Sequence, residues 1–231
     1  MRDDICTIPV SEVFEHNDGC PICRMRDTIE ERMTDYILGD AMMEPDVRIE
    51  TNKTGFCEHH YNNMMSRRGR LQLALMLQTH INEINGEIFK KKLFNTDSKK
   101  TGNAKTITDS CFICSKIEWG LSRMIETVYR CYETQKDFRD MFNSQSMFCL
   151  PHYERLLGGA SKRNMKSYYP EFSENLNRIT GEYSKSLYDD LSKYCTMYDY
   201  RSRDGETDWG NSRDAVERTV AFLNGRIYKE E

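Results

Sequence analysis

Apolar residues recur at three- and four-residue intervals along most of this chain, the spacing that lets a helix bury one face. A long helix is predicted over residues 71–94 and another over 171–200. The apolar face predicted for the first of them consists of Leu71, Ala74, Leu75, Ile81, Ile84 and Ile88. Strand signals are few, and only residues 46–51 could form a short extended segment. The pattern therefore predicts an all-α fold.

The predicted helices form two similar groups of three. In each group the first helix begins at a Cys-x2-Cys motif and ends near residue 38 or residue 132. A short helix begins at a Cys-x2-His motif, and the long helix follows. Gly86 and Gly181 lie inside the long helices, where glycine costs about 1 kcal/mol relative to alanine. We therefore expect another helix to pack closely at both positions.

Two apolar segments lie outside these groups. The N-terminal arm contains Val10, Val13 and Phe14, and a C-terminal amphipathic helix is predicted at 212–223. The residues of that helix expected to contact the core are Ala215, Val216, Val220, Phe222 and Leu223. We expect each segment to cover one end of a helical bundle.

One cysteine and histidine pattern occurs twice. Each copy reads Cys-x2-Cys, then a spacer, then Phe-Cys-x2-His-Tyr, and the spacers with their phenylalanines cover residues 24–56 and 115–148. The candidate metal ligands are Cys20, Cys23, Cys57 and His60 in the first copy, and Cys111, Cys114, Cys149 and His152 in the second. Because three cysteines and one histidine form a common tetrahedral zinc ligand set, we expect two zinc ions.

The pairing of these motifs is open. A Cys3His site within each copy is the simplest solution, but a swapped pairing between copies uses the same number of ligands. His59 could replace His60, although Pro151 at the matching place favours His60. An iron–sulfur cluster is the alternative cofactor. A thioredoxin-like role would need a strand before the first motif, and residues 10–19 do not supply one.

The repeat extends beyond the ligands and indicates an internal duplication. We predict a first helical metal-binding module at 1–97, a second at 110–203, and a C-terminal segment at 204–231 with the capping helix. Residues 98–109 form a polar linker, expected to be a mobile loop.

The composition of the chain limits the classes of function that it could have. The 231 residues carry 33 basic and 37 acidic side chains, a net charge of −4, so broad nucleic-acid binding is not expected. No signal peptide or membrane-spanning segment is evident, and we expect a cytoplasmic protein. Nine cysteines in a reducing compartment indicate metal binding rather than disulfides. Cys6, Cys131 and Cys195 have no partner motif, and the last two are expected at helix interfaces.

Catalysis is not indicated. Each predicted site is fully ligated by protein, whereas a catalytic zinc keeps an open position. The sequence contains no His-Glu-x2-His motif, phosphate-binding glycine loop or Gly-x-Ser-x-Gly motif. His16 and His80 are expected to be structural or surface residues. We assign no catalytic residue.

Several stretches resemble an uncharacterised bacterial family, a domain of unknown function with duplicated CxxC and FCxxH motifs. The stretches are Ile8-Pro9-Val10 with Cys20-Pro21-Ile22-Cys23, the segment Thr51 to Cys57, the segment Leu73 to His80, and Phe222-Leu223-Asn224-Gly225. The resemblance implies a bacterial, cytoplasmic protein but no activity or partner. Thr51-Asn52-Lys53 has no counterpart in the second copy, and we predict a loop that caps the Cys57 helix.

Three hypotheses of function remain. The first is a zinc-stabilised helical binding or scaffold protein with a protein partner and no catalysis of its own. The alternative is a thiol redox, metal-handling or iron–sulfur protein. A weaker third hypothesis is nucleic-acid binding through residues 90–105 together with Arg67, Arg68 and Arg70.

Overall fold

A computed structural model describes residues 8–90, 96–160, 165–198 and 208–225. Within these ranges the secondary structure is helical and contains no strand, which confirms the predicted all-α class. Cys6, the predicted helix ends at 94 and 200, and part of the predicted C-terminal segment lie outside the described residues. No helix in the described ranges is long and apolar enough to cross a membrane.

Eleven α-helices are present in the described residues. They are α1 Ile8–Phe14, α2 Pro21–Leu38, α3 Pro45–Thr54, α4 Glu58–Ser66, α5 Arg70–Ile84, α6 Asp97–Thr108, α7 Phe112–Thr134, α8 Lys136–Asn143, α9 Leu150–Gly159, α10 Tyr169–Tyr198 and α11 Ala215–Asn224. Short 3-10 turns occur at Asp40–Met43 and Gly210–Ser212, and a π-helical turn at Asn85–Phe89 extends α5. The helices predicted at the Cys-x2-Cys and Cys-x2-His motifs are all present.

The chain divides into two compact units. The first unit comprises Met1–Met25 and Ser122–Glu231, and the second comprises Arg26–Leu121. Both divisions fall inside helices, the first in α2 and the second in α7. These limits differ from the modules predicted at 1–97 and 110–203, whose origin by duplication stays a prediction.

The core of the first unit contains a cluster of aromatic rings. Phe14 of α1 lies 4.9 Å from Phe138 and 5.6 Å from Phe142 of α8, measured between ring centroids. Phe142 also lies 4.9 Å from Phe148 and 5.0 Å from Phe172. Val10 and Phe14 are buried, so the predicted N-terminal arm does pack into a core.

The end of the first unit departs from two predictions. Ala215 and Phe222 of α11 are buried as expected, whereas the apolar residues Val216, Val220 and Leu223 are exposed. Gly181 in α10 has open space around the place of a Cβ atom, so no close helix packing requires a glycine there.

In the second unit, α5 packs against α3 through a different face from the one predicted. Its buried residues are Leu73, Met76 and His80, whereas Leu71 is 68% exposed and Ile81 is 52% exposed. Of the predicted face, Ile88 in the following π-helical turn is buried. The prediction was wrong for Leu71 and Ile81 because α5 carries apolar residues on both sides, and spacing alone does not choose between them. The prediction for Gly86 was also wrong, since a Cβ atom at that residue would meet nothing within 4 Å.

Two segments predicted to be irregular are helical. Residues 46–51 belong to α3, which begins at Pro45, a residue suited to the first helical position. The predicted loop at 98–109 is largely α6, whose N-cap Thr96 accepts a hydrogen bond from the Lys99 amide. A threonine cap followed by Asp97 in the first turn is a helix-start signal that offset the weak apolar pattern.

Candidate metal centres

Two clusters of three cysteines and one histidine lie in the described structure. Centre 1 consists of Cys20, Cys23, Cys149 and His152, and centre 2 consists of Cys57, His60, Cys111 and Cys114. In each centre the four candidate ligand atoms lie within 4.8 Å of one another. The structure therefore has the swapped pairing, in which the Cys-x2-Cys of one copy meets the Cys-x2-His of the other. The simpler pairing within each copy is not observed.

Both motifs place their candidate ligands at helix N-termini. Cys20 and Cys111 directly precede α2 and α7, and the second cysteine of each pair follows in the first turn. Cys57 and Cys149 are the extended N-cap residues of α4 and α9. The positive end of a helix dipole favours an ionised thiolate. Each centre thus joins the starts of two helices.

The four candidate ligand atoms of centre 1 lie close around one point. His152 Nδ1 lies 3.1 Å from Cys149 Sγ, 3.3 Å from Cys23 Sγ and 3.6 Å from Cys20 Sγ. The Sγ atoms of Cys23 and Cys149 are 3.6 Å apart. All four residues are buried. A single ion at the middle could be reached by every ligand atom.

Centre 2 repeats this geometry. His60 Nδ1 lies 3.1 Å from Cys57 Sγ, 3.3 Å from Cys111 Sγ and 3.5 Å from Cys114 Sγ. The Sγ atoms of Cys57 and Cys114 are 3.8 Å apart. In a tetrahedral zinc site, ordinary bond lengths imply about 3.6 Å between sulfur and nitrogen and about 3.8 Å between sulfurs. Both centres match that size.

Among the three cysteines of centre 1, Cys20 has the lowest pKa. Burial alone would raise the pKa of Cys20, but hydrogen bonds from Cys149, Cys23 and His152 outweigh it and lower this pKa well below its usual value. The hydrogen bond with Cys20 in turn raises the pKa of Cys149 to about 12. Hydrogen bonding within the centre thus shifts the pKa values of Cys20 and Cys149 in opposite directions.

At Cys111 and His60 of centre 2, as at Cys20 of centre 1, burial and hydrogen bonds act on the pKa in opposite directions. Burial opposes ionisation of Cys111, yet the hydrogen bond from His60 brings its pKa to about 6. Burial also opposes protonation of His60, but its contacts with Cys111 and Glu30 raise the pKa of His60 to about 10. A metal ion binding at these atoms would replace the protons, so binding would release protons to solvent.

A carboxylate lies behind the histidine of centre 2. Glu30 Oε1 is 3.2 Å from His60 Nε2 and 2.6 Å from His59 Nε2. The contact with His60 has the distance of an ion pair, although its angle is not that of a regular hydrogen bond. A carboxylate on the outer nitrogen of a metal-binding histidine orients the ring and fixes which nitrogen faces the metal. This residue was missed in the sequence because nothing in its helical surroundings marks it.

The segment before Cys57 is fixed by α5. His80 Nδ1 donates to the Asn52 carbonyl oxygen at 2.7 Å, and the Thr79 hydroxyl donates to the Asn52 side chain at 2.8 Å. Gly55, with φ 58° and ψ −153°, would place a Cβ atom 2.7 Å from His80 Nε2. Thr51-Asn52-Lys53 belongs to α3 and is helical, rather than the predicted capping loop. Its contacts with α5 help to position Cys57.

The C-terminal helix end lies beside centre 1. The Gly225 carbonyl oxygen is 2.9 Å from Cys23 Sγ, close enough to accept a hydrogen bond from the thiol. Gly225 has a left-handed backbone, and a Cβ atom there would lie 3.3 Å from Cys149 Sγ. The end of α11 thus closes over this centre, a role that its sequence alone did not indicate.

The remaining predicted residues have ordinary surroundings. Cys131 is buried as expected, whereas Cys195 is exposed, contrary to prediction. His80 is a structural residue of the α3 and α5 contact. The described cysteines form no disulfide.

The fold and the two centres define an all-helical protein with two Cys3His clusters that could hold metal ions. The chain belongs to a family described as "Family of unknown function (DUF6062)", whose profile matches residues 1–230. No curated protein and no solved structure matches the chain.

Proposed function

We propose that this protein is a zinc-stabilised helical scaffold that binds a protein partner and has no catalytic activity of its own. Zinc in centre 1 would tie the start of α2 to the start of α9. Zinc in centre 2 would tie the start of α4 to the start of α7. A structural zinc site contributes on the order of 10 kcal/mol of apparent binding free energy, comparable to the stability of a small domain.

The observation that carries this proposal is the size of the two clusters. In each one, the imidazole nitrogen lies 3.1–3.6 Å from the three sulfurs, and one pair of sulfurs lies 3.6 or 3.8 Å apart, close to the edge lengths of a zinc tetrahedron. All four atoms of each cluster lie within 4.8 Å of one another. Four protein ligands complete a tetrahedral shell, so neither ion would keep a position for substrate or water. This supports a structural role over catalysis.

The partner role rests on surface chemistry. Val216, Val220 and Leu223 occupy successive turns of α11 and are exposed. Exposed apolar side chains on one helix face suit a protein contact. A reducing compartment such as the cytoplasm would keep the cysteines available for metal.

A thiol redox, metal-handling or iron–sulfur protein is the alternative. Elemental analysis and an absorption spectrum of protein purified without added metal distinguish the two. About two zinc ions per chain without visible absorbance would support the proposal. Iron with visible absorbance would support the cluster, and the absence of any metal would refute both metal hypotheses.

Paired substitutions test the ligand sets. Cys20→Ser with Cys149→Ser changes centre 1 alone, so about one zinc should survive competition by a chelator. Cys20→Ser with Cys57→Ser damages both centres, so almost no zinc should survive. Pairing within the sequence copies would give the opposite order. The exposed Cys195→Ser serves as the control and should keep the wild-type zinc content.

A further inference from the structure

The two centres differ in how exposed their cysteine residues are. In centre 1 the exposed fractions are 3% for Cys20, 1% for Cys23 and 1% for Cys149. In centre 2, Cys114 is exposed and Cys57 is half-buried, while Cys111 is buried. The two centres therefore have the same set of residue types, but centre 1 is buried and centre 2 is partly exposed.

Access decides how a thiolate reacts. Oxidation of cysteine follows thiolate character and exposure, so the buried sulfurs of centre 1 are protected. Gly225 and the end of α11 lie directly against that centre. At centre 2, Cys114 is an exposed residue, and its sulfur lies 3.8 Å from the sulfur of Cys57, so a second thiolate is in reach.

From this difference we propose that centre 2 is an oxidation site, at which a peroxide converts Cys114 and a neighbouring thiolate to a disulfide and releases the metal. The proposal rests on the proposed function, because it requires metal in both centres. Centre 1 keeps its metal under the same treatment and continues to hold the fold of its unit.

The chemistry balances without a further cofactor. The Cys114 sulfur attacks one peroxide oxygen, the O–O bond breaks, and hydroxide leaves, which gives a sulfenic acid. A neighbouring thiolate of centre 2, with Cys57 in reach, attacks that sulfur, and a second hydroxide leaves as the S–S bond forms. Two thiolates lose one electron each, and the peroxide gains two. Two of the four ligands are then unable to bind the ion.

The test uses the zinc-loaded full chain and hydrogen peroxide, with a colorimetric chelator to follow zinc release. One zinc should be released at least about tenfold faster than the other, since access to the reactive thiolate controls the rate. Differential alkylation and mass spectrometry should find the first disulfide at Cys114. The Cys195→Ser chain should behave in the same way, because that exposed thiol lies outside both centres.

Several outcomes would overturn the proposal. They are release of both zinc ions at one rate, earlier oxidation of Cys20 or Cys23, and retention of both ions with Cys114 unmodified. A chain that contains two zinc ions but releases them together would leave the proposed function intact and refute only this inference. A chain purified without zinc would refute the proposed function, and the order of thiol oxidation would still test the difference in access.

Discussion

At the scale of single residues, Glu30 distinguishes the two centres. Its carboxylate contacts His60 of centre 2, and the contact with His60 holds the pKa of Glu30 at about 2. When Nδ1 of His60 binds a metal, Nε2 keeps its proton and faces this carboxylate. A carboxylate in this position strengthens the histidine as a ligand and fixes its orientation.

Replacing Glu30 should therefore weaken one centre. We expect Glu30→Gln to lower zinc affinity at centre 2 by about 10- to 100-fold and to leave centre 1 unchanged. The neighbouring exposed Glu31→Gln is the matched control and should bind zinc like the wild type. Competition with chelators of graded affinity measures both centres, and equal weakening of the two would contradict the assignment.

The pH dependence follows from the same pKa. Because the pKa of Glu30 is lowered on folding, its contribution is complete above the unfolded value of about 4.5 and is lost as the pH falls toward 2. The carboxylate of Glu30 therefore stays ionised between about pH 6 and about pH 8, and its own titration should add no pH dependence to the affinity difference between wild type and Glu30→Gln in that range. A difference that changes across that range would mean that another group acts through this position.

Gly55 is a second residue at which a substitution should have a large effect. Its backbone, φ 58° and ψ −153°, lies in a region that residues with a side chain rarely adopt, and His80 occupies the space of a Cβ atom. Gly55→Ala should lower the free energy of unfolding by about 2–4 kcal/mol. Zinc affinity should fall at centre 2, because Cys57 follows two residues later.

Gly181 in α10 provides the control for this change. A Cβ atom there meets nothing within 4 Å, so Gly181→Ala should stabilise the protein by up to about 1 kcal/mol through helix propensity. Urea unfolding of the zinc-loaded chains compares the two. Similar midpoints for both variants would show that Gly55 is not constrained as the structure indicates.

At the scale of elements, the sequence predicted helices more reliably than their faces. Helices that begin at cysteine motifs were correct because cap and ligand residues mark their starts, as at Pro21. The buried face of α5 could not be chosen, since apolar residues such as Leu71 and Leu73 lie on both sides. The segment Asp97–Thr108 was missed because its helix buries no residue and leaves no apolar period.

Two leucines of α5 can decide which face forms the core. Leu73 is 4% exposed and Leu71 is 68% exposed. Leu73→Ala should cost about 2–5 kcal/mol of stability because it leaves a cavity. Leu71→Ala should change stability by no more than about 0.5 kcal/mol. Thermal or urea unfolding of the zinc-loaded chains gives both values, and the reverse order would restore the face that the sequence spacing favours.

At the scale of the whole molecule, the sequence marked the eight cysteine and histidine residues that cluster, but not how they are grouped. Pairing within the copies and pairing between them both give three cysteines and one histidine per ion, so the number of ligands cannot distinguish the two pairings. The structure joins residues far apart in the chain, with Cys20 and His152 separated by 132 positions and Cys57 and Cys114 by 57. Only the packing of the helices between them brings these motifs together.

Swapped pairing makes each half of the chain depend on the other. A fragment of residues 1–109 contains one half of each centre, and a fragment of residues 110–231 contains the complementary halves. We expect neither fragment alone to bind zinc tightly or to show full helix content. Mixing the two should restore both, with about two zinc ions per pair and a gain in helical circular dichroism, because metal binding is coupled to folding.

The control for this complementation is the second fragment with Cys149→Ser. It lacks a ligand of centre 1 but supplies Cys111 and Cys114 to centre 2, so the mixture should retain about one zinc ion. If each wild-type fragment instead binds one zinc ion tightly and is fully helical by itself, the ligands pair within the sequence copies. The modules predicted at 1–97 and 110–203 would then be the independent folding units, and the swapped centres would be wrong.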